Sequence, residues 1–311
     1  MSGVFVLAPN ENWIVDRWTK EWYKHNADIS TQDPDSANII WLLADWCWEK
    51  IPKNLLTSKF VIATVHHIVP EKFDENARRE FSLRDSYVDM YHVPCHKTRQ
   101  QIATLTNKPI RVIMPWVNQE IWKSRDTLRD EMRKILGLTD NVTLISSFQR
   151  DTEGKDLVSP KLEKGPDRFC DIVERMSKDR NVEVLLGGWR RQYVISRLQK
   201  SNIKYHYVEL APFSTVNAMY AATDLYVVAA RYEGGPQSII ECASTRTPII
   251  STDVGFASEI LSQDSIFDGS PEGALLAKPD VQAAFDNVSK FFIPSGFEPF
   301  RQTFQSLGVL K

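Results

Sequence analysis

Short apolar runs alternate with longer amphipathic stretches along the whole chain. Runs at 4–7, 38–44, 60–65, 86–93 and 111–114 have few polar interruptions, as parallel strands covered on both faces do. Between them, 13–25, 76–83 and 97–105 have helical composition. In the first of these, Ile14, Trp18 and Trp22 recur every four residues beside Val15, which makes one apolar stripe. The stripe predicts packing on a sheet; Lys20 and Lys24 support the alternative of a helix lying on a membrane. After Gly137 ends a helix at 129–136, the rhythm resumes with strands at 142–146, 182–186, 204–208, 225–230, 248–251 and 265–267. Helices fall between them, among them 238–244, 257–261 and 281–292, and Pro294-Ser295-Gly296 breaks the last. A further helix is expected over 297–307. The alternation predicts an α/β protein with two such domains.

The most informative stretch follows the apolar run 225–230 and reads Arg231-Tyr232-Glu233-Gly234-Gly235-Pro236-Gln237-Ser238-Ile239-Ile240-Glu241. A buried strand, a glycine-forced turn and a helix come in that order. A helix starting at such a turn presents unpaired N–H groups and the positive end of its dipole, which suits phosphate. Amides from Gly234 and Gly235 to Gln237 and Ser238 are the expected phosphate cap, Pro236 having no N–H to offer. Glu233 and Glu241 bracket the turn with acceptors for sugar and ribose hydroxyls, so the segment fits a nucleotide-sugar. Further upstream, Gly187-Gly188-Trp189 follows a strand, and Gly188 is expected to let the backbone approach a ligand or a neighbouring helix.

The seven-residue spacing from Glu233 to Glu241, with Ala-Arg-Tyr-Glu-Gly-Gly-Pro around the first and Thr247-Pro248-Ile249-Ile250-Ser251-Thr252-Asp253-Val254-Gly255 after, resembles the E-x7-E signature of retaining glycosyltransferases of family 4. The resemblance is tight over 142–261 and looser before Ile121. It implies the GT-B arrangement: two doubly wound Rossmann-like domains facing across a cleft, here 1–123 on the acceptor side and 124–296 binding the nucleotide-sugar, with 297–311 packing back on the first. It implies that Glu233 approaches the transferred sugar and Glu241 holds the ribose. Arg150, after the strand 142–146, and Lys164, before Gly165, match the basic residues that grip the diphosphate; two anionic phosphates need such fixed cations. Lys155 and Lys161 are rivals for that role. Thr64-Val65-His66-His67 resembles an apolar strand ending in His-Asp, whose His points at the sugar, and the role passes to His66.

Composition narrows this little further. The 38 Lys and Arg against 40 Asp and Glu argue against a general nucleic-acid binder. Four scattered cysteines and the direct run of Met1-Ser2-Gly3 into a strand lead to an expectation of a cytoplasmic protein, with peripheral contact at the inner face of a membrane through the first domain as the variant. A zinc site from His66, His67, His92, Cys95 and His96 is set aside, since Pro94 separates strand from helix. Asp33-Pro34-Asp35 spells a D-x-D but sits in a polar loop, so no metal and no cofactor beyond the UDP- or GDP-sugar donor is implied. Of the nine tryptophans, Trp13, Trp18, Trp22, Trp41, Trp46 and Trp48 crowd the first fifty residues, where stacking on an acceptor sugar competes with core packing. The expected reaction is retaining transfer of a sugar to a hydroxyl of a glycan or glycolipid. A nucleotide-sugar epimerase and a non-catalytic nucleotide-sugar-binding protein are the alternatives on the same scaffold.

Overall fold

The computed structural model describes residues 3–11, 14–124, 126–154 and 156–308. The chain forms two compact units, Met1–Trp116 with Ile293–Lys311, and Val117–Phe292. Both boundaries differ from those expected at 123/124 and 296/297. The reason is a pairing of distant residues: the Val117 N–H donates to the Phe291 carbonyl at 2.8 Å, and Val117 bridges Phe292 in parallel. The two ends of the second unit are thereby stitched to each other.

The first unit holds five parallel strands, β1 (Gly3–Leu7), β2 (Ala37–Leu42), β3 (Phe60–Thr64), β4 (Met90–Val93) and β5 (Ile110–Val112), in that spatial order. Its helices are α1 (Ile14–His25), α2 (Lys53–Ser58), α3 (Glu75–Asp85) and α4 (His96–Ile102). Sequential order alone has no reversal, yet helices cover both faces. Ser30 explains this: it bridges Val4 in parallel while β2 occupies the other edge of β1, and the Thr31 N–H donates to the Val4 carbonyl at 3.0 Å. The winding reversal of a doubly wound sheet is thus present, reduced on one side to a single bridge. Right-handed crossovers in opposite directions from β1 put helices on opposite faces. Val15, Trp18 and Trp22 of α1 pack with Val4, Val6, Ile39 and Trp41. Leu55, Phe81 and Ile102, from α2, α3 and α4, pack with Ile40, Leu42, Val61 and Tyr91. The α1 stripe is therefore spent on the sheet, whereas a helix lying on a membrane would need it exposed. Strand β4 begins at Met90 and not at 86, because Asp89 turns the chain: its carboxylate accepts the Val61 N–H at 2.8 Å.

The second unit holds β6 (Thr143–Phe148), β7 (Val182–Gly188), β8 (Tyr205–Glu209), β9 (Leu225–Val228), β10 (Ile249–Thr252) and β11 (Ile266–Phe267). All are parallel, in the order β11-β10-β9-β6-β7-β8. Helices are α5 (Asp126–Ile135), α6 (Pro166–Met176), α7 (Gln192–Lys200), α8 (Phe213–Ala222), α9 (Gln237–Thr245), α10 (Ala257–Ile260), α11 (Pro271–Leu276) and α12 (Val281–Ser289). Phe169, Val173, Val194 and Leu198 cover one face of the sheet; Met132, Met219 and Ala222 cover the other with Leu144 and Leu185. The order reverses between β6 and β9, and their carboxyl ends diverge into the crevice where open α/β sheets bind ligands.

Helix α13 (Glu298–Ser306) belongs to the first unit. Phe297, Phe300 and Phe304 lie 4.6 Å from Trp116, 5.2 Å from Trp41 and 5.4 Å from Trp22, ring centre to ring centre. Two of the indoles that pack against these phenylalanines have their N–H groups satisfied by side chains. Trp116 donates to Glu21 at 2.8 Å and Trp41 to Thr64 at 2.9 Å. Thr64 in turn contacts Nδ1 of His92 at 2.9 Å, and Nε2 of His92 contacts the Ile113 carbonyl at 2.9 Å. A carbonyl only accepts, so Nε2 carries the proton and Nδ1 accepts from Thr64. Burial pushes His92 down to about 4, keeping it neutral. Among the described residues, no helix is long and apolar enough to cross a membrane.

Candidate active site

At the carboxyl edge of the second sheet, the turn after β6 and the turn after β9 are locked together through their backbones. Gly165, between a 3-10 turn (Leu162–Lys164) and α6, has φ +64°, and a Cβ there would meet the Ala229 carbonyl oxygen at 1.9 Å. Only glycine fits. The Glu163 carbonyl accepts the N–H groups of Arg231 at 2.8 Å and Tyr232 at 3.1 Å, and Gln149 Nε2 donates to the Lys164 carbonyl at 3.1 Å. This backbone clamp puts Lys164 against Glu233, and their side chains form an ion pair. The pair is shielded, with Lys164 22% and Glu233 13% exposed.

Arg231 takes no part in that pair. It holds Asp167 with two bonds of 2.8 and 2.6 Å and donates to the Leu162 carbonyl at 2.8 Å. Burial pushes the Asp167 carboxyl up, but the Arg231 hydrogen bonds and charge outweigh it and hold the group below its ordinary value. Lys161, one rival for the diphosphate, lies 3.5 Å from Glu163; Lys155, the other, is outside the described residues.

Gly234 and Gly235 form the turn into α9. A Cβ on Gly235 would meet the Phe256 ring at 2.0 Å, and one on Gly255 would meet the Gly234 carbonyl oxygen at 2.6 Å, so the turn after β10 props the turn after β9. Helix α9 begins at Gln237, with Ser238 in its first turn and no capping side chain among the described residues. Glu241, one turn further on, is 8% exposed and so is not a solvated helix residue. Its carboxylate accepts the Tyr220 hydroxyl at 2.8 Å. Burial, then the Glu241 charge, raises the Tyr220 hydroxyl well above its ordinary value, so it remains a donor.

Arg150 is placed differently from Lys164. Its Nε donates to the Thr152 carbonyl at 2.9 Å, and its guanidinium lies 6.0 Å from the ring centre of Trp189, which is half exposed. Trp189 follows β7, so Arg150 sits on the β7 side of this edge. At Gly188 (φ +96°) a Cβ would meet the Gln149 carbonyl oxygen at 2.8 Å, so its close neighbour is a strand end and not a helix. Behind this edge is an ion pair that sequence reasoning missed. Arg191 and Asp151 are fully buried, 3.0 Å apart, and the Arg191 guanidinium also donates to the carbonyls of Gly187 at 2.8 Å and of Ser147. It ties β6 to β7 where both end. Burial raises the Asp151 carboxyl, with the Arg191 charge opposing. Gln149, Tyr220 and Arg191 carry no motif; only the position of Gln149 directly after an apolar strand could have drawn attention to it.

In the first unit, His66 follows β3. Its Nε2 donates to the Leu43 carbonyl at 3.0 Å, and its ring lies 6.0 Å from Trp18 and 5.9 Å from Trp46. His67 lines a cavity of about 420 Å³ beside α3, with Asp45, Phe73, Phe81 and Arg84. Trp18, Trp22, Trp41 and Trp48 are buried and Trp46 is 45% exposed; Trp13 lies outside the described residues. Among the described residues, no cluster of His, Cys, Asp and Glu could hold a metal.

Two parallel sheets with alternating helices are the fold of GT-B glycosyltransferases. The chain superposes on HepE of Anabaena, solved with UDP and glucose, with a TM-score of 0.78, covering 98% of this chain and 100% of that one at 12% identity. Sucrose-phosphate synthase of Thermosynechococcus elongatus gives a TM-score of 0.68 over 96% and 81% of the two chains at 15% identity. Residues 157–292 match the family model described as Glycosyl transferases group 1. The chain thus has the GT-B fold, and residues 157–292 are similar to the Glycosyl transferases group 1 family. A lipopolysaccharide core biosynthesis mannosyltransferase of Rhizobium meliloti is 29% identical over 96 residues, which are 30% of this chain and 26% of that protein.

Proposed function

We propose that the protein transfers a sugar from a nucleoside-diphosphate sugar to a hydroxyl of a glycan or glycolipid, retaining the anomeric configuration as family 4 enzymes do. The observation that carries this reading is the meeting of Lys164 and Glu233 beside the first turn of α9, at the reversal of the second sheet. In the reaction, the anomeric carbon exchanges its bond to the diphosphate oxygen for one to the acceptor oxygen, and the acceptor's proton leaves with the diphosphate. The developing negative charge is met by Lys164, by Arg150 and by the amides from Gly234 and Gly235 to Gln237 and Ser238, which are fixed before the reaction starts. No divalent metal is needed for that role. Glu233 orients the sugar and Glu241, steadied by Tyr220, accepts from the ribose. His66 supports the approaching hydroxyl. The solved neighbours that contain UDP and UDP-glucose favour a UDP-sugar as donor.

A thermal-shift screen of UDP-, GDP- and ADP-sugars identifies the donor. With it, Glu241→Ala should weaken nucleotide binding about tenfold and Lys164→Ala should lower turnover about a hundredfold. Variants that both match the wild type with the best donor would remove this site assignment.

A further inference from the structure

The Lys164–Glu233 pair poses a problem of charge. The lysine assigned to the diphosphate is paired with the carboxylate assigned to the sugar. A phosphate oxygen arriving at Lys164 would meet a negative group seated where it must bind. The backbone cannot part to relieve this. Glu163 is bonded to Arg231 and Tyr232, Gln149 holds the Lys164 carbonyl, and Gly165 is in contact with Ala229. Arg231 offers no substitute cation, being engaged with Asp167 and Leu162. What remains adjustable is the torsions of two side chains on a fixed frame.

We propose that Glu233 is a stand-in for the donor's diphosphate on Lys164, and that donor binding exchanges carboxylate for phosphate. This rests on the nucleotide-sugar reading above and adds a cycle to it. Phosphate takes over the charge-assisted bond to Lys164, and Glu233, displaced by side-chain rotation alone, turns to the sugar hydroxyls beside it. The sugar-reading carboxylate thus becomes available when a diphosphate is seated. After transfer the sugar has gone, and the counter-charge at hand for Glu233 is again Lys164. Its return competes with the nucleoside diphosphate and speeds product release.

Titration calorimetry with UDP, GDP and ADP tests this on the full chain. Glu233→Gln, which keeps the shape and removes the charge, should bind the preferred nucleoside diphosphate about tenfold more tightly than the wild type while losing turnover. Glu233→Ala should shift affinity in the same direction. In a Lys164→Met background the gain should disappear, because the two residues act through one contact. Thermal denaturation confirms that each variant is folded. If Glu233→Gln binds the diphosphate no better than the wild type, or keeps its gain without Lys164, the exchange is refuted and the nucleotide-sugar reading stands. If none of the three nucleotides binds the wild type, the nucleotide-sugar reading itself falls.

Discussion

At the carboxyl edge of the second unit, main chain packs on main chain: Gly165 on Ala229, Gly188 on Gln149, Gly255 on Gly234. At the same edge of the first unit, side chains do that work. His66 lies between Trp18 and Trp46, and the layer beneath is fixed by the run from Trp41 through Thr64 and His92 to Ile113. The difference matters for chemistry. Glycine contacts hold loops without occupying the space above them, so charged side chains such as Lys164 and Glu233 can be set close together. Aromatic rings fill that space and offer faces and edges, with few charges.

The comparison predicts that the second edge breaks through backbone volume and the first through protonation. The largest effect is expected from Gly165→Ala, where an added methyl meets a carbonyl oxygen and positive φ adds strain. A loss of about 4 kcal/mol or more in denaturant unfolding should follow, with loss of donor turnover. A stable, active Gly165→Ala protein would show that the two turns are not locked. Next, Arg191→Met should cost about 3–5 kcal/mol by leaving Asp151 buried without its partner. If Arg191 also holds the Gln149–Arg150 backbone for the donor, a residual folded fraction should show a raised KM for it.

The smallest of the three concerns His92. Its group titrates near 6.5 in the unfolded chain and about 4 in the native one, so the unfolded chain binds more protons between those values. Stability is full above about pH 6.5 and declines as pH falls toward 4, by up to about 3 kcal/mol. Urea melts across that window should show the slope, and His92→Asn should flatten it. An unchanged slope would mean that the ring does not carry the acid sensitivity of the first unit.

Legibility in the sequence follows the same division. The strands and helices of the second unit were readable because buried parallel strands are unbroken apolar runs, and Glu233, Glu241 and Lys164 stood in a patterned segment. What escaped were contacts between residues far apart in the chain. Nothing local marks Ala229 as the partner of Gly165, Asp151 as the counter-charge of Arg191, or Val117 as the partner of Phe292. Ser30 was invisible for a related reason: a strand reduced to one bridge has no periodicity. In the first unit the tryptophan stripe was legible as a buried face, but the rings that close over Trp22 and Trp41 come from α13, at the other end of the sequence.

That placement of α13 has a consequence for biosynthesis. The phenylalanines that close around Trp22, Trp41 and Trp116 are translated after every residue of the second unit. The nascent first unit must wait with its tryptophans uncovered while an entire intervening body is made and is able to fold on its own contiguous stretch. Released chains truncated after residue 292 should therefore carry a protease-resistant second unit beside a cleavable first one.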